Sequence, residues 1–154
     1  MPGTSRGSRS SAYATSSRSC SRTRSGPSSR ARFERLGDDR WLAHVLDTQA
    51  RVALARGAHD DALRLGHEAL DRADKTANDN AAIDAQLTIA RTHVAMREAS
   101  AALEWYERAA ASARRLAAPQ ARLREVLGEW AELLANAGEH QKAFEMMREA
   151  LKGG

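Results

Sequence analysis

One short pattern of small residues occurs three times in this chain at nearly constant intervals. It is Ala-x3-Gly-x2-Ala from Ala62, Ala-x3-Tyr-x2-Ala from Ala102, and Ala-x3-Met-x2-Ala from Ala143. The first alanines of the three copies are 40 and then 41 residues apart. A repeat of this length indicates stacked helical hairpins, because a single hairpin cannot bury its apolar face without a neighbour.

The amino-acid composition divides the chain into two unlike parts. Residues 1–30 contain eleven Ser, six Arg and no acidic residue, so they carry +6. The whole chain carries +4, which leaves −2 for residues 31–154. A segment with so few large apolar residues cannot offset its ordering entropy by burial. We therefore predict a disordered tail over residues 1–37 and a helical repeat domain over residues 38–154.

Several classes of protein are disfavoured by what the sequence lacks. Cys20 is the only cysteine, so neither a disulfide framework nor a cysteine metal cluster is expected. The chain has no run of about 18 apolar residues that could span a membrane. Its N-terminal stretch also lacks the continuous apolar segment of a secretory signal. These features favour a cytoplasmic protein.

Apolar residues at helical spacing predict six helices in three hairpins, at about 40–74, 80–116 and 119–152. Asp38 and Asp39 precede the first helix, where a carboxylate can accept from free backbone N–H groups. Gly57 and Gly138 stand where a left-handed residue would end a helix. Pro119 opens the third hairpin, where its missing N–H costs nothing.

A second set of alanines lies 12 residues before the first set. They are Ala50, Ala90 and Ala131, which precede Ala62, Ala102 and Ala143. Small side chains at both places would let the two helices of each hairpin approach closely. A large residue there should overpack the crossing and cost about 1–3 kcal/mol.

These positions together resemble the tetratricopeptide repeat family. The matching residues are Ala50, Gly57, His59, Ala62, Gly66 and Ala69 in the first unit, Ala90, Arg97, Ala99, Ala102, Tyr106 and Ala109 in the second, and Ala131, Gly138, His140, Ala143, Met147 and Ala150 in the third. The spacing exceeds the usual 34 residues, so the chain is similar to the long-helix variety found in large bacterial regulators and kinesin light chains. The resemblance implies a right-handed α-α superhelix of three hairpins. It also implies a protein–protein interaction scaffold, acting as a sensor or adaptor part of a bacterial regulatory protein.

In that family the first helix of each hairpin lines a concave groove that binds a peptide or partner domain. The resemblance therefore implies groove residues here, which are Asp47, Thr48, Arg51, Leu87, Thr88, Arg91, Glu129 and Glu132. Arg51 and Arg91 could together grip a carboxylate, since a guanidinium offers paired donors, with Leu87 as an apolar floor. Alternatively, Arg51 pairs with Asp47 within its own helix and Arg91 contributes little.

No pattern in the sequence predicts catalysis, a cofactor or a metal site. The five histidines have no metal-ligand spacing, and we expect His59 and His140 to pack beside hairpin turns. Carboxylate pairs such as Asp60 and Asp61 are typical of solvated helix starts rather than of acid–base machinery. We therefore predict a protein that is not an enzyme.

Two further interaction surfaces are predicted. Phe144, Met147 and Leu151 form an apolar flank on the last helix, which could pair with a second copy in a homodimer.

The arginine-rich tail could bind nucleic acid weakly and without specificity, which is the alternative function. The tail could equally be a transit peptide or an extension without a role. Of the tryptophans, Trp130 is expected in the core, and Trp41 could cover the open end of the stack.

Overall fold

The computed structural model describes residues 29–152, which contain six helices and no strand. The helices are α1 (Ser29–Ala55), α2 (His59–Lys75), α3 (Asp79–Ala95), α4 (Ala99–Arg114), α5 (Gln120–Asn136) and α6 (His140–Leu151). The chain divides into two units, residues 1–35 and residues 36–154. All packing described below lies within the second unit. The all-α prediction and its three hairpins are confirmed.

The first helix begins earlier than predicted. α1 starts at Ser29 and not after Asp38 and Asp39, so residues 29–37 of the predicted tail are helical. Arg, Ala, Glu and Leu between residues 30 and 36 are strong helix formers, and the two aspartates continue this helix without capping it. Asp39 instead accepts from Arg72 Nη1 on α2, at 2.5 Å. The rest of the predicted tail, residues 1–28, lies outside the described residues.

Contacts between alternate helices arrange the domain in two layers. The odd-numbered helices meet through Thr88–Asp47 and Arg91–Glu129, and the even-numbered helices through His67–Trp105 and Arg114–Glu149. Consecutive helices also pack on each other from α2 to α6. Because each helix contacts its next and next-but-one neighbours in the sequence, the domain is a repeat-like solenoid.

The hairpin crossings are built from the predicted alanines. Ala50, Ala62, Ala90 and Ala102 are completely buried, and Ala131 and Ala143 are 2% and 5% exposed. The largest apolar cluster lies between the second and third hairpins and contains Ile83, Leu87, Ala90, Tyr106, Ala109, Ala110, Ala113, Val126 and Leu127. The small residues therefore set the crossings, and the large residues fill the junction between hairpins.

The junction between the first two hairpins is made of smaller groups. Ala43, Ala73, Ala81 and Ala82 form its buried cluster, with Leu70 packed against them. Nearby, Gly66 faces α3 so closely that a methyl group added to it would lie 2.8 Å from Ile89 Cγ1. Glycine at this position therefore has a packing reason, since it lets α2 and α3 approach.

Four of the five connections between helices use the same turn. The left-handed residues are Gly57, Ala77, Arg97 and Gly138, with φ of 76°, 49°, 64° and 83°. In each turn the next residue donates its backbone N–H to the carbonyl five residues earlier, as Ala58 does to Ala53 at 2.9 Å. This confirms the predicted role of both glycines and shows that Arg97 and Ala77 adopt the same conformation without being glycine. Before α5 the connection differs, and Pro119 directly precedes that helix as expected.

Candidate functional site

The predicted groove residues lie on the α1–α3–α5 layer, but three of them, Asp47, Leu87 and Thr88, are buried beneath its surface. Leu87 is 1% exposed and Thr88 is fully buried. Leu87 belongs to the main apolar cluster and cannot form the floor of a groove. Assigning Leu87 and Thr88 to a peptide site was wrong, because α3 is packed between α1 and α5 and buries the side that carries them.

Thr88 instead joins α3 to α1. Its Oγ1 donates to Asp47 Oδ1 at 2.6 Å, and Asp47 is only 7% exposed. Burial raises the pKa of Asp47, partly opposed by this hydrogen bond. The bond thus holds a carboxylate between two helices, where it serves the structure and is closed to a partner.

Arg91 is also bound within the domain. Its Nε and Nη2 donate to the two carboxylate oxygens of Glu129 on α5, at 2.9 and 2.5 Å. The Tyr106 hydroxyl donates to the same carboxylate at 3.2 Å. The guanidinium fork that was predicted to grip a peptide carboxylate is therefore occupied by Glu129. The predicted clamp of Arg51 and Arg91 is wrong in its partner. Of the alternative, Arg51 does act on Asp47 as a nearby positive charge, which opposes part of the rise in its pKa caused by burial, while the hydrogen bond to Asp47 comes from Thr88.

A second ion-pair cluster links α3 and α5 about two turns away. Arg122 donates to Asp84 and also to Glu125 at 2.7 Å and to the Asn80 carbonyl at 3.2 Å. The sequence analysis missed this cluster. Asp84 and Arg122 are 38 residues apart, the same separation as Arg91 and Glu129, so a search for opposite charges at one fixed offset could have found both pairs.

The exposed part of this layer is a mixed-charge surface, which we call the polar face. Its side chains are Thr48, Arg51, Arg91, Arg124, Glu125, Glu129 and Glu132. Four of the predicted residues are exposed or half-buried on α1 or α5, namely Thr48, Arg51, Glu129 and Glu132. At the centre of the α5 side lies Gly128, where an added methyl group would meet nothing within 4 Å. Unlike Gly66, this glycine has no packing reason.

The predicted apolar flank of α6 is exposed. Phe144, Met147 and Leu151 are 65%, 56% and 73% exposed. Trp41 is 71% exposed and covers nothing in the described part of the domain, whereas Trp130 is half-buried beside the main cluster. The α6 flank is thus the largest set of apolar side chains that the fold leaves without a neighbour among the described residues.

An open depression lies on the first hairpin, between the end of α1 and the start of α2. Its volume is about 400 Å³, and we call it the first-hairpin depression. It is lined by Thr48, Gln49, Val52, Ala53, Arg56, Ala58, Asp61, Arg64 and Leu65. Val52 is 44% exposed there, so the depression has an apolar side chain open to a partner.

The histidines do not form a site. His59 is half-buried beside its turn, but His140 is exposed, so the expected packing of His140 is wrong. His67 contacts Trp105 edge to face, with 5.3 Å between ring centroids, and Arg108 lies over the same ring at 4.6 Å. Burial and nearby positive charge lower the pKa of His67. Among the described residues no group of three or more His, Cys, Asp or Glu side chains is arranged to hold a metal.

Comparison with known proteins leaves the family open. No protein-family model matches the sequence, and no curated protein matches it significantly. The resemblance to tetratricopeptide repeats therefore remains a prediction made from the residues. None of the described helices has the length and apolar character needed to cross a bilayer. The predicted nucleic-acid contacts of the tail lie mostly in residues 1–28, outside the described part.

Proposed function

We propose that this chain is a protein–protein interaction scaffold that binds a peptide or partner domain on its polar face. The resemblance to long-helix tetratricopeptide repeats adds the role of a sensor or adaptor in bacterial regulation. The observation that carries the proposal is Gly128, an open backbone position in the middle of a helix. A partner chain would lie across α5 there and contact the charged side chains on either side.

Gly128 makes the polar face more than an ordinary charged surface. Glycine inside a helix costs about 0.5–1 kcal/mol relative to alanine, and α5 runs from Gln120 to Asn136 around it. Nothing in the fold needs a missing side chain at this point. A partner that approaches the backbone closely does need it, because a side chain there would hold the partner away.

The flanking charges are held in place before any partner arrives. Glu129 is fixed by Arg91 and by Tyr106, and Glu125 is fixed by Arg122. Fixed side chains lose less conformational entropy on binding than free ones. Glu132 and Arg51 stay exposed beside them, so the face offers both signs of charge to a partner.

Selection of peptides from a random display library against the full chain tests this proposal. We expect selected peptides to bind the Gly128→Leu variant at least tenfold more weakly, because leucine fills the open position. Glu132→Ala should weaken the same peptides by a smaller factor.

Glu104→Ala provides the matched control, since Glu104 is exposed on α4 in the other layer. Selected peptides should bind this variant as they bind the wild type. If every peptide binds Gly128→Leu and Glu104→Ala equally well, the polar face is not the binding surface. If acidic peptides are selected and Arg51→Ala alone abolishes their binding, the site is a single arginine rather than the open position on α5.

A further inference from the structure

The chain forms one kind of junction between hairpins twice. Among the described residues, the first and third hairpins each leave exposed one of the two surfaces that meet in such a junction. Each junction places the second helix of one hairpin against the groove of the next hairpin. The residues that meet can be compared directly, because equivalent positions are 40 or 41 residues apart.

In the first junction, α2 fills the groove between α3 and α4. Gly66 lies against Ile89, and the His67 ring contacts the Trp105 ring. Ile89 and Thr92, which line this groove, are fully buried. The groove of the second hairpin is thus closed by positions 66 and 67 of the first.

In the second junction, α4 fills the groove between α5 and α6 in the same way. Tyr106 and Ala110 belong to one apolar cluster with Trp130, Leu133 and Met146 of the third hairpin. Leu103 packs against the neighbouring cluster of Ala131, Leu134 and Ala143, as Trp130 and Met146 also do. Leu103, Tyr106 and Ala110 of α4 therefore fill the groove of the third hairpin, as Gly66 of α2 fills the groove of the second.

The corresponding positions on α6 are the exposed apolar flank. Phe144, Met147 and Leu151 are 41 residues after Leu103, Tyr106 and Ala110. On the first hairpin, the counterparts of the groove residues Ile89, Thr92 and Trp105 are Gln49, Val52 and Leu65, 40 residues earlier. These three line the open first-hairpin depression. The α6 flank is therefore equivalent to the helix surface that fills a groove, and the first-hairpin depression is equivalent to the groove.

We infer that a second copy of this chain binds head to tail, with its α6 flank seated in the first-hairpin depression. The interface continues the junction already built twice within the chain, with Met147 in the place of Tyr106 and Leu151 in the place of Ala110. Arg148 is equivalent to His67, and Leu65 is equivalent to Trp105. The His67–Trp105 contact therefore predicts that Arg148 lies beside Leu65 of the second copy. Glu68 lies on the same side of α2 as Leu65, so Arg148 would meet an opposite charge there, whereas Asp61 on that side is bound to Arg64 at 3.4 Å.

This contact differs from the usual symmetric dimer because it joins two different surfaces. Each bound copy still offers its own depression and its own flank, so association is open-ended unless a rotation closes a ring. The inference goes beyond the proposed function, because Thr48 is the one polar-face residue that also lines the depression.

Sedimentation velocity of the full chain tests it, with Met147→Glu blocking the flank and Val52→Glu blocking the depression. The wild type should form species larger than a dimer as its concentration rises. Each variant alone should associate at least tenfold more weakly, and Leu151→Glu should act like Met147→Glu. A mixture of Met147→Glu and Val52→Glu should form dimers and stop there, since the mixture retains one intact flank and one intact depression.

Ala111→Glu is the control, because it adds the same charge at an exposed position of α4 outside both surfaces. It should associate like the wild type. A wild type that stays monomeric at millimolar concentration overturns the inference. Dimers that Met147→Glu abolishes and Val52→Glu leaves intact would show symmetric pairing of two flanks, which also overturns it. Equal loss with Ala111→Glu would show that added charge alone prevents association.

Discussion

Thr88 donates its hydroxyl hydrogen to Asp47 across the α1–α3 contact, with 2.6 Å between Oγ1 and Oδ1 and both residues buried. Replacing Thr88 by valine keeps the shape but leaves a buried carboxylate without its donor. We expect Thr88→Val to lower the free energy of unfolding by about 1–3 kcal/mol, measured by urea denaturation.

Thr48→Val is the matched control for this substitution. The Thr48 hydroxyl is exposed and bonds only the His44 carbonyl of its own helix, at 2.9 Å. Its loss should change stability by less than about 0.5 kcal/mol. Equal effects of the two valines would show that the Thr88–Asp47 bond does not hold α1 against α3.

The raised pKa of Asp47 predicts a particular dependence of stability on pH. The folded protein binds a proton at Asp47 more tightly than the unfolded chain does, whose aspartate has the ordinary value of 3.8. Stability from this group is therefore lost as the pH rises from about 4 through the raised pKa. Asp47→Asn has no charge to bury, so its free energy of unfolding relative to the wild type should increase over that interval.

Asp71 supplies a control of opposite sign. It accepts from Lys75 Nζ at 2.7 Å, which lowers its pKa below 3.8. Its contribution is present above 3.8 and is lost as the pH falls through the lowered pKa. Asp71→Asn should therefore gain stability relative to the wild type only at the acid end. Parallel curves for the two Asn variants would contradict the assignment of the Asp47 shift to burial.

Two glycines inside helices should respond to alanine in opposite directions. Gly66→Ala places a methyl group 2.8 Å from Ile89 Cγ1, and the fully buried Ile89 cannot move aside, so overpacking of about 1–3 kcal/mol should outweigh the gain in helix propensity. Gly128→Ala meets nothing within 4 Å and should stabilise by about 0.5–1 kcal/mol. Thermal denaturation of both variants measures the difference, and a shared sign would disprove it.

The left-handed turns at Ala77 and Arg97 should improve with glycine. Both residues have positive φ and are exposed, so the substitution removes backbone strain and no packing contact. Arg97→Gly and Ala77→Gly should each stabilise by about 0.5–1 kcal/mol. Gly57→Ala is the control, and it should destabilise by a similar amount, because φ is 76° and the surroundings are open. If Arg97→Gly lowers the free energy of unfolding, the Arg97 side chain stabilises the fold by more than its left-handed backbone conformation costs.

Much of the fold could be predicted from the sequence because the repeat fixes it locally. Alanine pairs marked the crossings, and Gly57 and Gly138 marked turns. The start of α1 could not be predicted in this way, because Asp38 and Asp39 look like a cap although good helix formers precede them. The structure is already helical at Ser29, the first described residue, and α1 runs on through both aspartates.

The site was harder to predict because it depends on which side of each first helix faces the next. Assigning Thr48, Thr88 and Glu129 to one groove assumed the same exposed side on all three helices. In the structure Thr88 faces Asp47, 41 residues away, while Arg91 faces Glu129, 38 residues away. Rotating a helix about its axis by one residue position moves a side chain between the core and the surface. The spacing of the sequence repeat does not fix this rotation. Gly128 stands out only in the structure, where its open surroundings show why it matters.

The alanine cluster between the first two hairpins has a consequence for how the domain comes apart. Methyl groups bury little apolar area compared with Ile83, Leu87, Tyr106 and Leu127 in the next junction. Ile89 adds one large buried side chain to this junction, but we still expect the α1–α2 pair to separate from the stack before the α5–α6 pair does. Amide protons of α2 should exchange with solvent well before those of α4. The first hairpin would then unfold locally while the other four helices keep their structure.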